Sequence, residues 1–262
     1  MSWFLFVMAG AIGALLVGLI GFGSSLIILP VLLLTFPGMF EEEVAVRLAV
    51  GTTMASMIVG AVSASLAQAR NQTICWPLLR LMVLPYLCGA GLGPWVSRYL
   101  SVDVLSYYIV VLLLFVSFRS LSTVGHTRMK RRWVDSRRQI VFVHLGIGLV
   151  SSIGGIASGI FAIPYLSRFD LSLRSVIATS TVAAALYSLF ATAGHISAGL
   201  GVAGRPVGSF GFVYLPAFVV MSVAGAVCAR IGVKLAAHVA EIWLRRFLCI
   251  FLIAAALVIL LR

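Results

Sequence analysis

Two short runs of glycine and hydroxyl residues, far apart in the chain, carry the residue types from which an anion site can be built. The first is Gly21, Gly23, Ser24 and Ser25, within GLIGFGSSLIILP (Gly18–Pro30). The second is Gly155, Ser158 and Gly159, within SSIGGIASGIFAIP (Ser151–Pro164). Glycine inside an apolar segment lets the backbone leave the helix, which exposes N–H groups that only protein or a water-filled cavity can satisfy at membrane depth. A helix restarting there offers free N–H groups and the positive end of its dipole to an anion. Each run is followed by a hydroxyl cluster, VGTT with Thr52 and Thr53, then ATST with Thr179, Ser180 and Thr181. These hydroxyls can donate to an oxyanion without any buried Arg or Lys. The expected substrate-binding set is therefore all twelve residues just named. For any one of them, close helix packing through small residues is an equally physical reading; the pairing of two runs is what points to a substrate.

Other chemistries find less support. The seven acids, Glu41, Glu42, Glu43, Asp103, Asp135, Asp170 and Glu241, fall in loops or at the ends of apolar segments. An intramembrane carboxylate is the usual mark of a proton or sodium path, so a carboxylate-based cation pathway is not expected. His144 and His195 lie in apolar stretches and can titrate near neutral pH, although a lone histidine commonly just bonds a neighbouring helix. Cys75, Cys88, Cys228 and Cys249 are scattered with no CxxC or Cys/His cluster, so neither a metal site nor a disulfide framework is expected. GxSxG, HExxH and a P-loop lysine are all missing. We expect no enzyme and no cofactor.

The elements that must position these residues follow from composition. The chain has 262 residues, 62% hydrophobic and 10% charged, with a mean hydropathy of +1.15. Soluble domains are about half apolar and a quarter charged, so this chain belongs in a membrane. Spans of about 20 residues allow roughly seven or eight crossings. Apolar segments fall at 3–36, 44–69, 74–99, 103–121, 139–168, 174–200, 207–235 and 240–261. The first and fifth are too long and glycine-rich for one plain span. The first twenty residues lack a basic front, so no cleaved signal peptide is expected. The net charge of +12 sits mostly in membrane-flanking loops, which sets orientation and does not suggest nucleic acid. Trp3, Trp76, Trp95, Trp133 and Trp243 lie mainly near segment ends, as interfacial anchors do.

The basic stretch Ser122–Gln139 divides the chain into repeat 1–122, linker 123–138 and repeat 139–262. Setting Pro30 on Pro164 places Gly21 on Gly155 and Ser24 on Ser158, and LCGAGLGPWVSRYL later matches VAGAVCARIGVKLA loosely. If segments one and five return to the side they entered, fifteen of the nineteen bases share one side; if all eight cross, only eleven do. Three crossings per half then make the halves inverted copies. The expected fold is an all-α polytopic membrane protein of two homologous four-segment halves, arranged as inverted repeats with the first segment of each broken or re-entrant.

These motifs resemble the TauE/SafE sulfite exporter family of permeases. The resemblance rests on GLIGFGSSLIILP followed by VGTT, repeated as SIGGIASGIFAIP with ATST, and on Ala67–Trp76 with Arg70. It covers nearly the whole chain. Where the family often has a run of glycines, this sequence reads GFGSS and GGIASG. The resemblance implies secondary transport, without ATP, of a small sulfur oxyanion or organosulfonate such as sulfite, sulfoacetate or thiosulfate. It places the chain in a bacterial-type inner membrane, with Gly21–Ser25 and Gly155–Gly159 as the family's glycine-rich segments. Expected partners are that anion, membrane lipids and, as one assembly, a second copy in a homodimer, but no nucleic acid. A permease for another small anion or a metal ion, and a non-transporting membrane assembly subunit, stay open as alternatives.

Overall fold

The computed structural model describes residues 2–20, 23–70, 74–122, 136–235 and 241–261. Most of the basic linker lies outside that set. A backbone in hydrocarbon must satisfy its own N–H and C=O groups, and helix is the local way to do so. The elements are α1 (Ser2–Ile20), α2 (Ser24–Thr35) with a 3-10 turn Phe36–Gly38, α3 (Glu42–Arg70), α4 (Trp76–Tyr99), α5 (Val102–Ser122), α6 (Arg137–Ile153), α7 (Gly159–Leu166), α8 (Leu173–Gly199), α9 (Leu215–Leu235) and α10 (Glu241–Leu260). A two-residue hairpin, β1 (Ser209–Phe210) and β2 (Val213–Tyr214), precedes α9.

Among the described residues, Glu42–Leu66, Trp76–Tyr99, Val102–Arg119 and Arg174–Gly199 are long and apolar enough to cross a membrane. The stretches Trp3–Leu16, Ser24–Gly38, Leu215–Cys228 and Arg246–Leu260 are apolar as well. Large apolar side chains stand on the outside, with Phe118 74% and Phe142 69% exposed. In water such a surface would be a liability; in lipid it is the solvated face.

The first apolar segment of each half is not one helix. Gly23 (φ 113°) and Gly155 (φ 69°) hold the left-handed backbone conformation that glycine adopts at little cost. Beyond the break the chain doubles back. Phe36 meets Phe6 edge to face at 5.9 Å, and Gly13 lies against Ser24 and Ile28, so α2 runs antiparallel beside α1. Likewise Tyr165 on α7 meets His144 on α6 at 5.3 Å. Each half thus opens with a helical hairpin whose tip is a glycine turn.

The halves interleave. α1 packs along α9, where Gly10 faces the Met221 backbone and Ala14 faces Gly225. α6 packs along α4 in the same sense, with Gly148 on the Tyr86 carbonyl and Gly89 on the Leu145 carbonyl. Helices without a hydrophobic drive toward each other associate through such close backbone approach. At the centre α3 and α8 run antiparallel: Gly51 abuts His195, while Met54 accepts from the Tyr187 hydroxyl at 3.7 Å. α5 and α10 meet through Ser117, whose hydroxyl donates to the Cys249 carbonyl at 3.0 Å.

Two hydrogen bonds index one half against the other. Thr52 Oγ1 accepts from the Tyr214 N–H at 2.9 Å, just before α9; Thr179 Oγ1 accepts from the Cys75 N–H at 3.0 Å, just before α4. Each threonine therefore caps the entry of a helix belonging to the other half. Thr52→Val or Thr179→Val is expected to cost about 1 kcal/mol or more, because a partly buried N–H is left without its acceptor. Thermal unfolding in detergent should show that loss, with substrate affinity of the surviving protein unchanged.

Candidate functional site

The two hairpin tips meet. Ser25, one residue into α2, accepts the Ala157 N–H through its Oγ at 2.8 Å, which joins the glycine turn of one half to that of the other. Both residues are buried. Beside this bond lies a pocket with about 440 Å³ of empty space, mouth included. Gly23 and Ser24 line it from the first tip, and Ala157 and Gly159 from the second. Met57 on α3 and Ser180 and Thr181 on α8 close the walls.

Among the described residues no charged side chain lines the pocket; its polarity is hydroxyl and backbone. α2 and α7 both start at its wall, and the first N–H groups of a helix have no preceding turn to bond. Ser180 is 2% exposed, and its hydroxyl has no hydrogen-bond partner among the described residues. An unmatched buried hydroxyl costs about 1–3 kcal/mol, so natural proteins keep one only for a reason. Thr181 donates to the Ile177 carbonyl at 2.7 Å and can still accept. The Ser158 hydroxyl is fully buried beside that of Tyr86 on α4, and neither has a hydrogen-bond partner among the described residues.

Of the residues singled out by sequence, Gly23, Ser24, Gly159, Ser180 and Thr181 line this pocket, and Ser25 and Ser158 stand at its edge. Gly155 forms the second turn and packs on Val50 and Leu29, behind the pocket wall. Thr53 donates to the Ala49 carbonyl at 2.7 Å, and Thr52 and Thr179 hold the helix entries described above. These three threonines lie outside the pocket lining. Gly21 lies outside the described residues. Sequence reasoning passed over the pair Tyr86–Tyr187, whose rings lie 5.3 Å apart behind the second tip. The Tyr187 hydroxyl also reaches the Ile156 carbonyl at 3.3 Å, bracing the turn. Nothing in the local sequence around Tyr86 or Tyr187 distinguishes them from packing aromatics.

Arg47, a buried cation, is committed elsewhere. Its guanidinium donates to the Glu43, Ser97 and Leu100 carbonyls at the far end of α3. Among the described residues no three His, Cys, Asp or Glu side chains gather where they could hold a metal ion.

The model of the family described as Sulfite exporter TauE/SafE matches residues 5–259. The chain belongs to that family. It is similar to a protein of Haemophilus influenzae described as a probable membrane transporter protein, with 23% identity over 257 residues, covering 96% of this chain and 95% of the relative. No solved structure matches. As a TauE/SafE member the chain is a membrane transporter.

Proposed function

We propose that the chain carries a small sulfur-containing anion, such as sulfite, thiosulfate or an organosulfonate, across a bacterial-type inner membrane by alternating access. The carrying observation is the pocket where the two tips join, walled by hydroxyls from both halves and by the starts of two helices. A sulfur oxyanion presents several acceptor oxygens at once, and a ring of hydroxyl and N–H donors matches that demand without a fixed cation. The family description supports the sulfur chemistry.

The halves act, in this reading, as inverted repeats. The antiparallel course of α3 against α8 supports it, since equivalent helices related by an axis in the membrane plane must run in opposite directions. So does the matched packing of α1 on α9 and α6 on α4. Both hairpins then re-enter from opposite faces and meet near the midplane, and the face carrying Arg168 and the basic linker is cytoplasmic. Rocking of one half against the other would open the pocket to each side in turn.

Reconstituted protein should show saturable uptake of labelled sulfite, thiosulfate or sulfoacetate into liposomes. Folded protein that carries none of the three would overturn the substrate assignment, and flux that never saturates would overturn the carrier in favour of a channel.

A further inference from the structure

Among the described residues the pocket holds donors but no fixed positive charge, and an uncompensated anion at membrane depth is costly. Hydroxyl and N–H donors bind the anion without cancelling its charge, and a group that gains a proton as the anion enters would cancel it. His144 on α6 is fully buried. Its Nδ1 lies 2.7 Å from the Ile140 carbonyl oxygen. A carbonyl only accepts, so Nδ1 carries hydrogen and the neutral ring keeps a bare lone pair on Nε2. That Nε2 is buried and without a hydrogen-bond partner among the described residues. That lone pair is where the ring can take up a proton.

The surroundings fit such a change. Tyr86 from α4 and Tyr165 from α7 stand edge to face with the ring, with centroids at 6.0 and 5.3 Å. Tyr187 on α8 lies behind Tyr86, and Arg168 sits over the Tyr165 ring at 5.9 Å. Tyr108 on α5 donates to the Val150 carbonyl farther along α6. The Tyr86 hydroxyl lies beside Ser158, whose chain neighbours Ala157 and Gly159 form the pocket wall. His144, Tyr86 and Ser158 thus stand between α6 and the pocket wall, and His144 Nε2, Tyr86 Oη and Ser158 Oγ are all buried without a hydrogen-bond partner among the described residues.

The opposite half shows that the fold does not demand this arrangement. The Pro30–Pro164 alignment sets Gly10 opposite His144. The paired bonds of Thr52 and Thr179 set Gly60 opposite Tyr187 and Gly225 opposite Tyr86. Packing agrees, since Gly148 abuts Tyr86 where Ala14 abuts Gly225. Gly10, Gly60 and Gly225 together border a small cavity. The same hairpin-on-helix packing therefore forms with three glycines, and the histidine and tyrosines of the other half are there for something else.

We infer that His144 is the proton-binding residue that couples anion movement to proton movement, with Tyr86 and Ser158 linking it to the pocket. The step is a plain acid–base exchange: Nε2 takes a proton from water as the anion enters and returns it as the anion leaves. Charge is balanced and nothing is oxidised. Proton and anion then raise each other's affinity reciprocally. This inference rests on the anion-carrier reading, and two separate readouts keep the two apart.

The experiment uses full-length protein in liposomes with labelled thiosulfate, or whichever of sulfite and sulfoacetate the wild type exchanges. Exchange at equal pH reads the pocket, and accumulation under an imposed pH gradient reads the coupling. The wild type should do both. His144→Gln, which can still bond Ile140, should lose gradient-driven accumulation by about tenfold or more while exchange stays within about threefold. Tyr86→Phe keeps the ring and should also weaken the coupling, whereas His195→Gln, whose Nε2 partner is the Ser152 carbonyl, should not. Accumulation that survives in His144→Gln, or a wild type that exchanges but ignores the gradient, overturns the inference while leaving the carrier intact. If His144→Gln loses exchange as well, Tyr86→Phe decides: full coupling there overturns the inference, and exchange without coupling supports it. A wild type without exchange of any of the three anions overturns the carrier reading and this inference with it.

Discussion

Ser180→Ala is expected to weaken substrate affinity on the order of ten- to a hundredfold while leaving the melting temperature unchanged or slightly higher. The hydroxyl is buried on the pocket wall and unbonded among the described residues, so the empty protein carries its desolvation cost with no return. Removing it relieves that cost. Bound anion reverses the sign, because a hydrogen bond to a charged group contributes about 1.5–3 kcal/mol, and each 1.4 kcal/mol is about tenfold in affinity. The KM of anion exchange and a thermal melt, taken on the same preparation, separate the possibilities. An unchanged KM would remove Ser180 from the site. A lowered melting temperature with unchanged KM would make it a structural hydroxyl, like Thr52 and Thr179, whose replacement is expected to show that opposite pattern.

That contrast explains how much of the site was legible in the sequence. The breaks were, because a left-handed turn inside an apolar helix calls for glycine, and Gly23 and Gly155 stand at those turns. Serines beside them are carried to the tips by the same turns. The threonines were less legible. A hydroxyl on a helix can bond its own i−4 carbonyl, as Thr53 does, or a neighbour's N–H, as Thr52 does. Adjacent positions point about 100° apart around the helix, so which one meets a pocket depends on the helix next door. The row His144–Tyr86–Ser158 was invisible for the same reason. Its members come from different elements, and it takes the packing of α4 on α6 together with the turn into α7 to bring them near one another. The family resemblance, by contrast, depended on the order of motifs along the chain and needed no contact information; the family match over residues 5–259 agrees with it.

Gly148→Leu is expected to have the largest effect on folding. A β-carbon at Gly148 would overlap the Tyr86 carbonyl oxygen, and the Ala90 N lies 3.1 Å away. Both obstacles are backbone, so no side-chain rotation relieves them and the two helices must part. Overpacking a core costs roughly 1–3 kcal/mol when side chains can shift; here the loss should exceed that range, and little monodisperse protein should be recovered. Gly146→Leu on α6 and Gly91→Leu on α4 are the controls, since a β-carbon at either meets nothing within 4 Å. Equal stability of Gly148→Leu and Gly146→Leu would mean that α4 and α6 do not pack as described. Gly148→Ala, a smaller push at the same contact, connects packing to function. By prising Tyr86 away from α6 it should loosen the link from His144 to Ser158 before it disturbs the pocket, which is built on α2, α3, α7 and α8. Gradient-driven accumulation should then fall at a temperature where exchange is still intact, and a parallel decline of the two would argue that α4 serves the pocket itself.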